Sequence, residues 1–406
     1  MKKSTGKKPV KKQNTLNEPK LYDKKTIIVL VVSLLIFAGT LFWLYSDEIL
    51  PDGASDMFSP YNSDELVEFE KAKVIEIVSE DIEYDEVIEN AAKGQQELTV
   101  VVKSGRYKGE TMTAYNYFGA YYGVPVEVGD GVTLTIKTHL DGVYNATVYE
   151  FNRIPILAGV IVLFFLVVIA VGGRTGLKSL IGLSFTMVCL FVILIPLILK
   201  GMQPIPATFI MCAYIALVCF TILGGVHRKT ISAFLGTVSG TLFAMIFGLA
   251  VQHIAKIDGL RLDDAEALID LKYYGANVYI RGIMVASIII CALGAVMDVS
   301  MSISSALEEV HAANPSFDRN QLFRSGMNIG RDMVGTMTNT LILAFLGSEF
   351  ILMIFFYARD LTFYHMFSSA FIAIETISGI SSSIGMVLAI PLTAFISSGL
   401  IAGKKR

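Results

Sequence analysis

Long apolar runs separated by short polar segments dominate this sequence and decide what the chain can fold into. Thr26 to Tyr45 offers about 20 apolar residues, enough for one helix to cross the hydrocarbon core of a bilayer. After Arg153 further runs follow at about 154–171, 177–199, 205–224, 231–252, 281–304, 333–356 and 368–401. Because 53% of the 406 residues are hydrophobic and only 17% are charged, an ordinary globular domain is excluded. We expect a polytopic α-helical membrane protein with about eight transmembrane helices.

Charged residues are segregated along the chain, and this predicts its orientation. Residues 1–25 carry nine lysines against Glu18 and Asp23, so we expect a disordered, basic, cytoplasmic tail lying against anionic lipid. No small-residue cleavage site follows the run 26–45, which is therefore predicted to be an uncleaved signal anchor. An even number of spans puts both termini in the cytoplasm, and most Lys and Arg of the connecting segments then lie on the inner side of the plasma membrane.

Residues 46–152, between the first and second spans, show the two-residue period of β-strands. The strand-like segments KAKVIEIVS, ELTVVVKSG, PVEVGDGVTLTI and YNATVYEFN are separated by glycine-containing turns. They predict a small antiparallel sheet or barrel that lies outside the cytoplasm. Its 21 acids against seven Lys and Arg are interpreted as a solvated surface, although they could also attract cations or basic partners.

A polar insert, 305–332, interrupts the remaining seven-helix region, 153–406, between its spans 281–304 and 333–356. Ser305 with Glu308 matches a capping box, and Asn314 before Pro315 resembles an N-cap followed by proline at the first helical position. These signals predict two short cytoplasmic helices. The second mixes apolar and basic residues, which favours a helix on the inner membrane surface; docking of a cytoplasmic protein is the alternative.

Small residues mark two of the apolar runs. Ser232, Gly236, Gly240, Ala244 and Gly248 recur at intervals of four, which predicts a face where helices approach closely. The last run is long for one upright helix, and its centre, SGISSSIG, is followed by Pro391. It is either one kinked helix or a broken helix of the kind that builds transporter sites.

The candidate site consists of polar groups inside apolar runs, where such groups usually face a protein interior or a pathway. Asp298 and Ser302 belong to the run that begins near residue 281, and Asp332, Thr338 and Asn339 to the next; Glu375 is the one charge of the last run. These acids could relay protons or bind a cation. Alternatively, Asp298 and Asp332 lie at the inner interface and Glu375 hydrogen-bonds a neighbouring helix.

Other kinds of chemistry find little support in the residues. The four cysteines lie inside apolar runs, the five histidines are scattered, and the glycine-rich pieces lack the Lys and Ser/Thr of a phosphate-binding loop. The acids of the loop 258–270 lack the spacing of a calcium site. We therefore expect no catalytic residues, metal, cofactor or nucleic acid.

Several long motifs resemble one family. GRTGLKSLIGLSFT, GAVMDVSMSISSALEE, GMNIGRDMVGTMTNTLILAF and ETISGISSSIGMVLAIPLT are similar to segments of the bacterial YibE/F-like multi-pass membrane proteins, over roughly residues 98–400. The resemblance implies a fold and a membrane location but no activity.

Two functions are compatible with these features. The first is a permease or ion-coupled transporter with a polar site among the sixth, seventh and eighth helices. The alternative is a non-transporting scaffold that recruits proteins through its outer domain and its basic cytoplasmic helix. Expected partners are membrane lipid, a cation or proton, and another membrane protein or a second copy of the chain.

Overall fold

A computed structural model describes residues 23–46, 65–88, 91–139, 144–257, 260, 265–273, 275–359 and 362–402. The predictions for the tail 1–22 and for most of the acidic loop 258–264 lie outside the described residues. The chain divides into two compact units. One consists of Met1–Asp47, Lys178–Glu266 and Tyr279–Arg406, and the other of Glu48–Leu177 and Ala267–Val278.

The β-rich domain is a five-stranded closed barrel, as the sequence predicted. Its strands are β1 (Glu65–Tyr84), β2 (Ala92–Val102), β3 (Thr111–Phe118), β4 (Gly131–His139) and β5 (Tyr144–Phe151). They close in the order β1-β2-β3-β5-β4. The sequence segments missed β3, whose inward positions include polar Asn116. The contact of β3 with β5 is parallel, so the sheet is not wholly antiparallel.

Alternating side chains fill the barrel. Leu98, Val100, Leu134 and Ile136 are fully buried. Two amides are buried with them and are satisfied internally: the Asn116 amide donates to Gln96 Oε1 at 3.0 Å, and Gln96 donates to the Val126 carbonyl at 3.0 Å. Buried polar groups need such partners, and here they tie the β3–β4 connection to the barrel.

The helices account for the apolar runs. They are α1 (Lys24–Leu44), α2 (Ile154–Val188), α3 (Ile195–Leu199), α4 (Pro204–Gly224), α5 (Arg228–Ile254), α6 (Ala265–Tyr273), α7 (Ile283–Ala313), α8 (Arg319–Ser348), α9 (Phe350–Ala358), α10 (Phe363–Ser368) and α11 (Ala370–Ala402). A π-helical segment, Cys189–Leu194, joins α2 to α3. Among the described residues six helical stretches are long and apolar enough to cross a membrane, or seven if the bent pair α8–α9 is one span.

Residues of α5, α7 and α11 form a closely packed interface, which we call the seam. It contains the small-residue stripe of α5. A Cβ atom added to Gly236 would lie 2.0 Å from Thr393 Oγ1, and one added to Gly240 would lie 2.7 Å from both Ala389 Cβ and Val296 Cγ1. At Gly248 the Ile288 Cδ1 atom would be 3.0 Å away. At Gly236 and Gly240 a larger residue would force the helices or the neighbouring side chains to shift.

Hydroxyl groups connect the same three helices. Ser232 of α5, Ser304 of α7 and Ser397 of α11 form a chain of hydrogen bonds with O–O distances of 3.0 Å, and all three residues are fully buried. One turn further along, Thr393 donates to Ser300 at 3.1 Å. Within a membrane, where water is scarce, such bonds between helices give the hydroxyl groups the hydrogen-bond partners that water would otherwise supply.

The prediction of two short helices within the insert 305–332 is wrong. Helix α7 continues through Ser305 to Ala313, and Asn314 is its C-cap, not an N-cap. The next helix begins at Arg319, where Asp318 and Gln321 form a full capping box, and it runs on to Ser348. The interruption therefore shrinks to residues 314–318. The longer helices are favoured because residues 305–313 and 319–332 extend the core that α7 and α8 share with α11, in which Leu307 and Leu322 are fully buried.

The last apolar run is one helix, α11, which contains Pro391. The open choice between one helix and two is thereby settled in favour of one. At 33 residues it is about 50 Å long.

Candidate functional site

A cavity of about 210 Å³ lies between α8 and α9 on one side and α11 on the other. Three of its lining residues have polar or ionisable side chains: Glu349, Glu375 and Thr376. Its other walls are apolar and come from Ile342, Phe345, Leu346, Leu352, Met353, Ile372, Gly379 and Ile380. Two glutamates from different helices thus line one cavity, whose surface is almost wholly apolar.

A bend positions the first carboxyl group. Helices α8 and α9 meet at Glu349 with an angle of 60°. The Glu349 N–H donates to the Phe345 carbonyl at 3.3 Å as the last bond of α8, and its own carbonyl accepts from the Met353 N–H at 3.0 Å to begin α9. Ser348 Oγ also donates to the Phe345 carbonyl, at 2.8 Å. Glu349 is thus the joint of a broken helix, a feature of membrane proteins found where backbone lines a cavity.

The second carboxyl group comes from the first turns of α11. Glu375 is half-buried and is followed by Thr376, which also lines the cavity. One turn further along, Gly379 faces the ring of Phe345: a Cβ atom there would lie 3.0 Å from Phe345 Cδ2. The glycine lets the aromatic ring of α8 pack directly against α11 and form one wall of the cavity.

Other predicted site residues lie elsewhere on α7. Asp298 and Ser302 are exposed, on the face opposite buried Val296, Ser300 and Ile303. They belong to an exposed row of small and polar residues at helical spacing: Ser287, Cys291, Gly294, Asp298 and Ser302. Neither of the two lines the cavity.

Helix α8 has a comparable exposed row. Asp332 and Asn339 lie on it, together with Asn328, Gly335 and Thr336. Thr338 differs, because its Oγ1 atom is buried and has no hydrogen-bond partner among the described residues. Of the six predicted pathway residues, only Glu375 lines the cavity.

Glu349 is the site residue that the sequence analysis missed. It lies within the run 333–356, which the sequence analysis interprets as one span. The available signal was the triplet Gly347-Ser348-Glu349, in which a flexible residue and a hydroxyl precede an acid inside an apolar run.

Metal ligands do not assemble in the described parts of the chain. No group of three or more His, Cys, Asp or Glu residues is close enough to hold a metal ion there. The cysteines are all free thiols, three of them buried and Cys291 exposed.

Fold and cavity together define the class: a helical membrane protein with a small β-barrel domain and an apolar cavity, lined in part by two glutamates, beside a broken helix. Two family models then cover most of the chain. The model described as YibE/F-like protein matches residues 160–403, and the one described as YibE/F family N-terminal domain matches residues 65–151. The chain belongs to the YibE/F-like family. No curated protein and no solved structure matches it.

Proposed function

We propose that this protein is an ion-coupled transporter or permease whose site is the cavity at Glu349 and Glu375. The observation that supports the proposal is that Glu349, at a 60° break between two apolar helices, and Glu375 line the same cavity. Acidic side chains at membrane depth are costly, and they usually mark ion or proton pathways. Broken helices are common at the substrate sites of secondary transporters, because they supply backbone groups and can move.

The proposal includes a topology. Helix α2, its π-helical continuation and α3 together span 46 residues, or about 69 Å, more than twice the roughly 30 Å of a hydrocarbon core. Gly173, with φ 54°, interrupts α2 near its middle. Two crossings within this stretch, added to the other candidate spans, give eight. Both termini then lie in the cytoplasm of a bacterium, and the barrel lies outside the plasma membrane.

Two further elements of the proposal concern partners and chemistry. Lipid surrounds the helices, and a second copy of the chain or another membrane protein covers the exposed row of α7 that includes Asp298. Polar residues in such a row are poorly suited to lipid tails. The transport cycle needs no enzymatic step, so we assign no catalytic residue.

Flux measurements test the transport function. The purified chain is reconstituted in liposomes, and proton and monovalent-cation fluxes are driven by a potassium diffusion potential over a series of pH values. We expect flux above that of empty liposomes, reduced at least about tenfold in Glu349→Gln and Glu375→Gln. The matched control is Glu309→Gln, an exposed acid outside the cavity, which keeps wild-type flux.

Two results would contradict the proposal. One is the absence of protein-dependent flux at every pH. The other is a Glu375→Gln variant whose flux and pH response equal those of the wild type, which removes this carboxyl group from any pathway.

One observation favours the scaffold alternative. Phe69 and Tyr149 meet edge to face on the barrel exterior with ring centroids 5.1 Å apart, and Tyr115 stacks on Tyr117 at 6.5 Å. Exposed aromatic side chains are enriched at protein interfaces. A photo-crosslinking residue at position 117 in living cells tests this alternative. A single protein adduct that disappears in Tyr149→Ala, in cells where the flux assay is negative, would favour the scaffold.

A further inference from the structure

We infer that two copies of this chain associate in the membrane through α7 and α8, with Asp298 of each copy paired with Arg331 of the other. This inference deepens one element of the proposed function: it rests on the exposed row of α7 being covered by protein, and it commits to a second copy as that protein. The observations that carry it are the common depth of the two residues, their exposure, their opposite charge and the open space at two nearby glycines.

The seam fixes the depth of Asp298. An added Cβ atom on Gly240 would lie 2.7 Å from Val296 Cγ1, and one on Gly236 would lie 3.2 Å from Ser300 Oγ. Asp298 comes between these two residues of α7 and therefore lies level with this part of α5. Because α5 runs from residue 228 to residue 254, Gly240 is about 18 Å from one end of the helix and about 21 Å from the other. Asp298 is thus near the middle of a helix long enough to cross a membrane.

Arg331 of α8 lies at the same depth. Its neighbour Gly330 packs directly against Ile390 of α11, where an added Cβ atom would collide. The residue before Ile390 is Ala389, which faces Gly240 across the seam. The chain therefore carries an acid and a base at one level on two consecutive helices.

Both side chains are exposed, and neither forms an ion pair within the part of the chain that the structure describes. Asp298 belongs to the exposed row of α7. Arg331 lies on a face of α8 that also exposes Arg324, Asn328 and Gly335, away from the buried glycines that pack against α7 and α11. Lipid tails offer no partner to either charge, and charged groups at membrane depth usually pair with one another.

A second copy supplies a partner for both charges. The first half of α2, residues 154–172, has no polar side chain and can satisfy neither of them. Two copies inserted in the same orientation can be related by a twofold axis along the membrane normal, which preserves depth. With α7 of each copy against α8 of the other, Asp298 meets Arg331 at its own depth on both sides of the axis. The surface is therefore complementary to itself.

Two unfilled glycines lie beside the charges. Gly294 is one turn from Asp298, Gly335 is one turn from Arg331, and a Cβ atom added to either would meet nothing within 4 Å. The glycines that pack within the chain differ, because an added Cβ atom there would lie within 3.0 Å of a neighbour; they are Gly236, Gly240, Gly326 and Gly330. Small residues let membrane helices approach closely, so the open pair suits contact with another helix.

Energy transfer between fluorescent labels tests the association. Two populations of the full chain, one with a donor and one with an acceptor fused to the C-terminus, are reconstituted together in liposomes. We expect transfer above the level that random crowding produces, and we expect it to persist as the ratio of lipid to protein is raised.

Charge reversal tests the pairing itself. Asp298→Arg and Arg331→Asp should each weaken association at least about tenfold, because like charges then face each other between the copies. A mixture of the two variants should restore transfer between them, since both contacts of the mixed pair again join an acid to an arginine. Pairing within one chain would not produce this rescue. Leu242→Ala, exposed at a similar depth on α5, is the control and should associate as the wild type does.

Bulky variants keep the test decisive if a charge-reversed chain is not monodisperse. Gly294→Leu and Gly335→Leu leave every charge in place and enter space that is open in the single chain, so the fold should survive while association is lost. The matched control is Gly347→Leu, at a position equally open but 12 residues further along α8 and about 120° around it. It should associate as the wild type does.

The outcomes separate this inference from the transport proposal. Association without flux supports the interface and contradicts transport. Flux from a wild type that stays monomeric supports transport, overturns the interface and leaves another membrane protein to cover the row. Absence of rescue in the mixture of two folded variants, or full association of Gly294→Leu and Gly335→Leu, also overturns the interface.

Discussion

The seam and the cavity use the same residue types on the same helix with opposite results. Gly385 and Gly379 lie six residues apart on α11. A Cβ atom on Gly385 would come within 2.6 Å of Ala244 Cβ and 2.9 Å of the Gly240 carbonyl oxygen, so backbone faces backbone. At Gly379 the nearest neighbour is the ring of Phe345, beside an open space. Small residues let two helices pack closely only where the facing residues of the partner helix are also small.

The largest expected effect on stability is that of Gly240→Leu. Its side chain would collide with Ala389 and Val296, and this overpacking of the seam should lower the free energy of unfolding by about 3 kcal/mol or more. The measurement is the melting temperature and the monodisperse yield in detergent.

The matched control is Leu242→Ala, two residues along the same helix on its exposed side. Leu242→Ala should lower the free energy of unfolding much less than Gly240→Leu does. If both variants give equal yields and melting temperatures, the seam does not hold α5, α7 and α11 together.

A smaller effect is expected for Ser304→Ala. Loss of the central hydroxyl leaves Ser232 and Ser397 without their shared partner, at a cost of about 1–2 kcal/mol. Thermal unfolding measures it, with Ser305→Ala as the control outside the hydroxyl chain. An unchanged melting temperature for Ser304→Ala would mean that water replaces the hydroxyl and that the seam is wetter than its burial indicates.

Next follows Asp318→Ala, which tests the end of α8 that lies far from the bend. Removal of the side chain that accepts from the Gln321 N–H at 2.7 Å should cost about 1 kcal/mol. Hydrogen exchange should speed up in the first turn of α8 and stay unchanged near Glu349. Asp318→Asn keeps a capping group and serves as the control; equal exchange in both variants would show that the capping box contributes nothing.

The smallest stability effect is expected for Gly379→Leu. The gain in helix propensity, about 1 kcal/mol, should offset the displacement of the Phe345 ring, because the open space beside it can accept the side chain. Melting temperature should therefore change little, while the flux of the proposed transport function is lost because the leucine fills the cavity. Gly347→Leu, at a position where an added Cβ atom meets nothing within 4 Å, should affect neither property. If Gly379→Leu destabilises as much as Gly240→Leu, the two regions do not differ in the way described.

Local spacing predicted much of the fold, because it depends on neighbours in sequence. The four-residue interval of Gly236, Gly240 and Gly248 marks the seam directly, and the period of two predicts the barrel. The sequence analysis did not identify strand β3, because the segment TMTAYNYF contains many polar and small residues and buries the amide of Asn116. The sequence analysis placed the helix ends near residue 314 incorrectly because Asn314 before Pro315 fits both the end of one helix and the start of the next. Only the packing of the flanking helices decides between these two possibilities.

The candidate site was harder to predict, since it depends on which way each helix faces. Asp298 and Glu375 both interrupt apolar runs, yet Asp298 lies on an exposed face and Glu375 lines the cavity. In a bundle of uniformly apolar helices, hydropathy does not distinguish these faces. The position of Glu349 depends on a bend between α8 and α9, and no proline lies there to signal it.

The length of β1 has a consequence for the order in which the barrel assembles. Its 20 residues pair with β2 through one part and with β4 through another. The hairpin with β2 closes a short loop and can form at once, whereas pairing with β4 must wait for some 45 further residues to be synthesised. Until then one edge of β1 stays open to mispairing, and its lysines and glutamates discourage association with other chains. The last strand ends at Phe151, and α2 begins at Ile154. We therefore expect barrel closure and membrane entry of the following helix to be nearly simultaneous events in the life of the nascent chain.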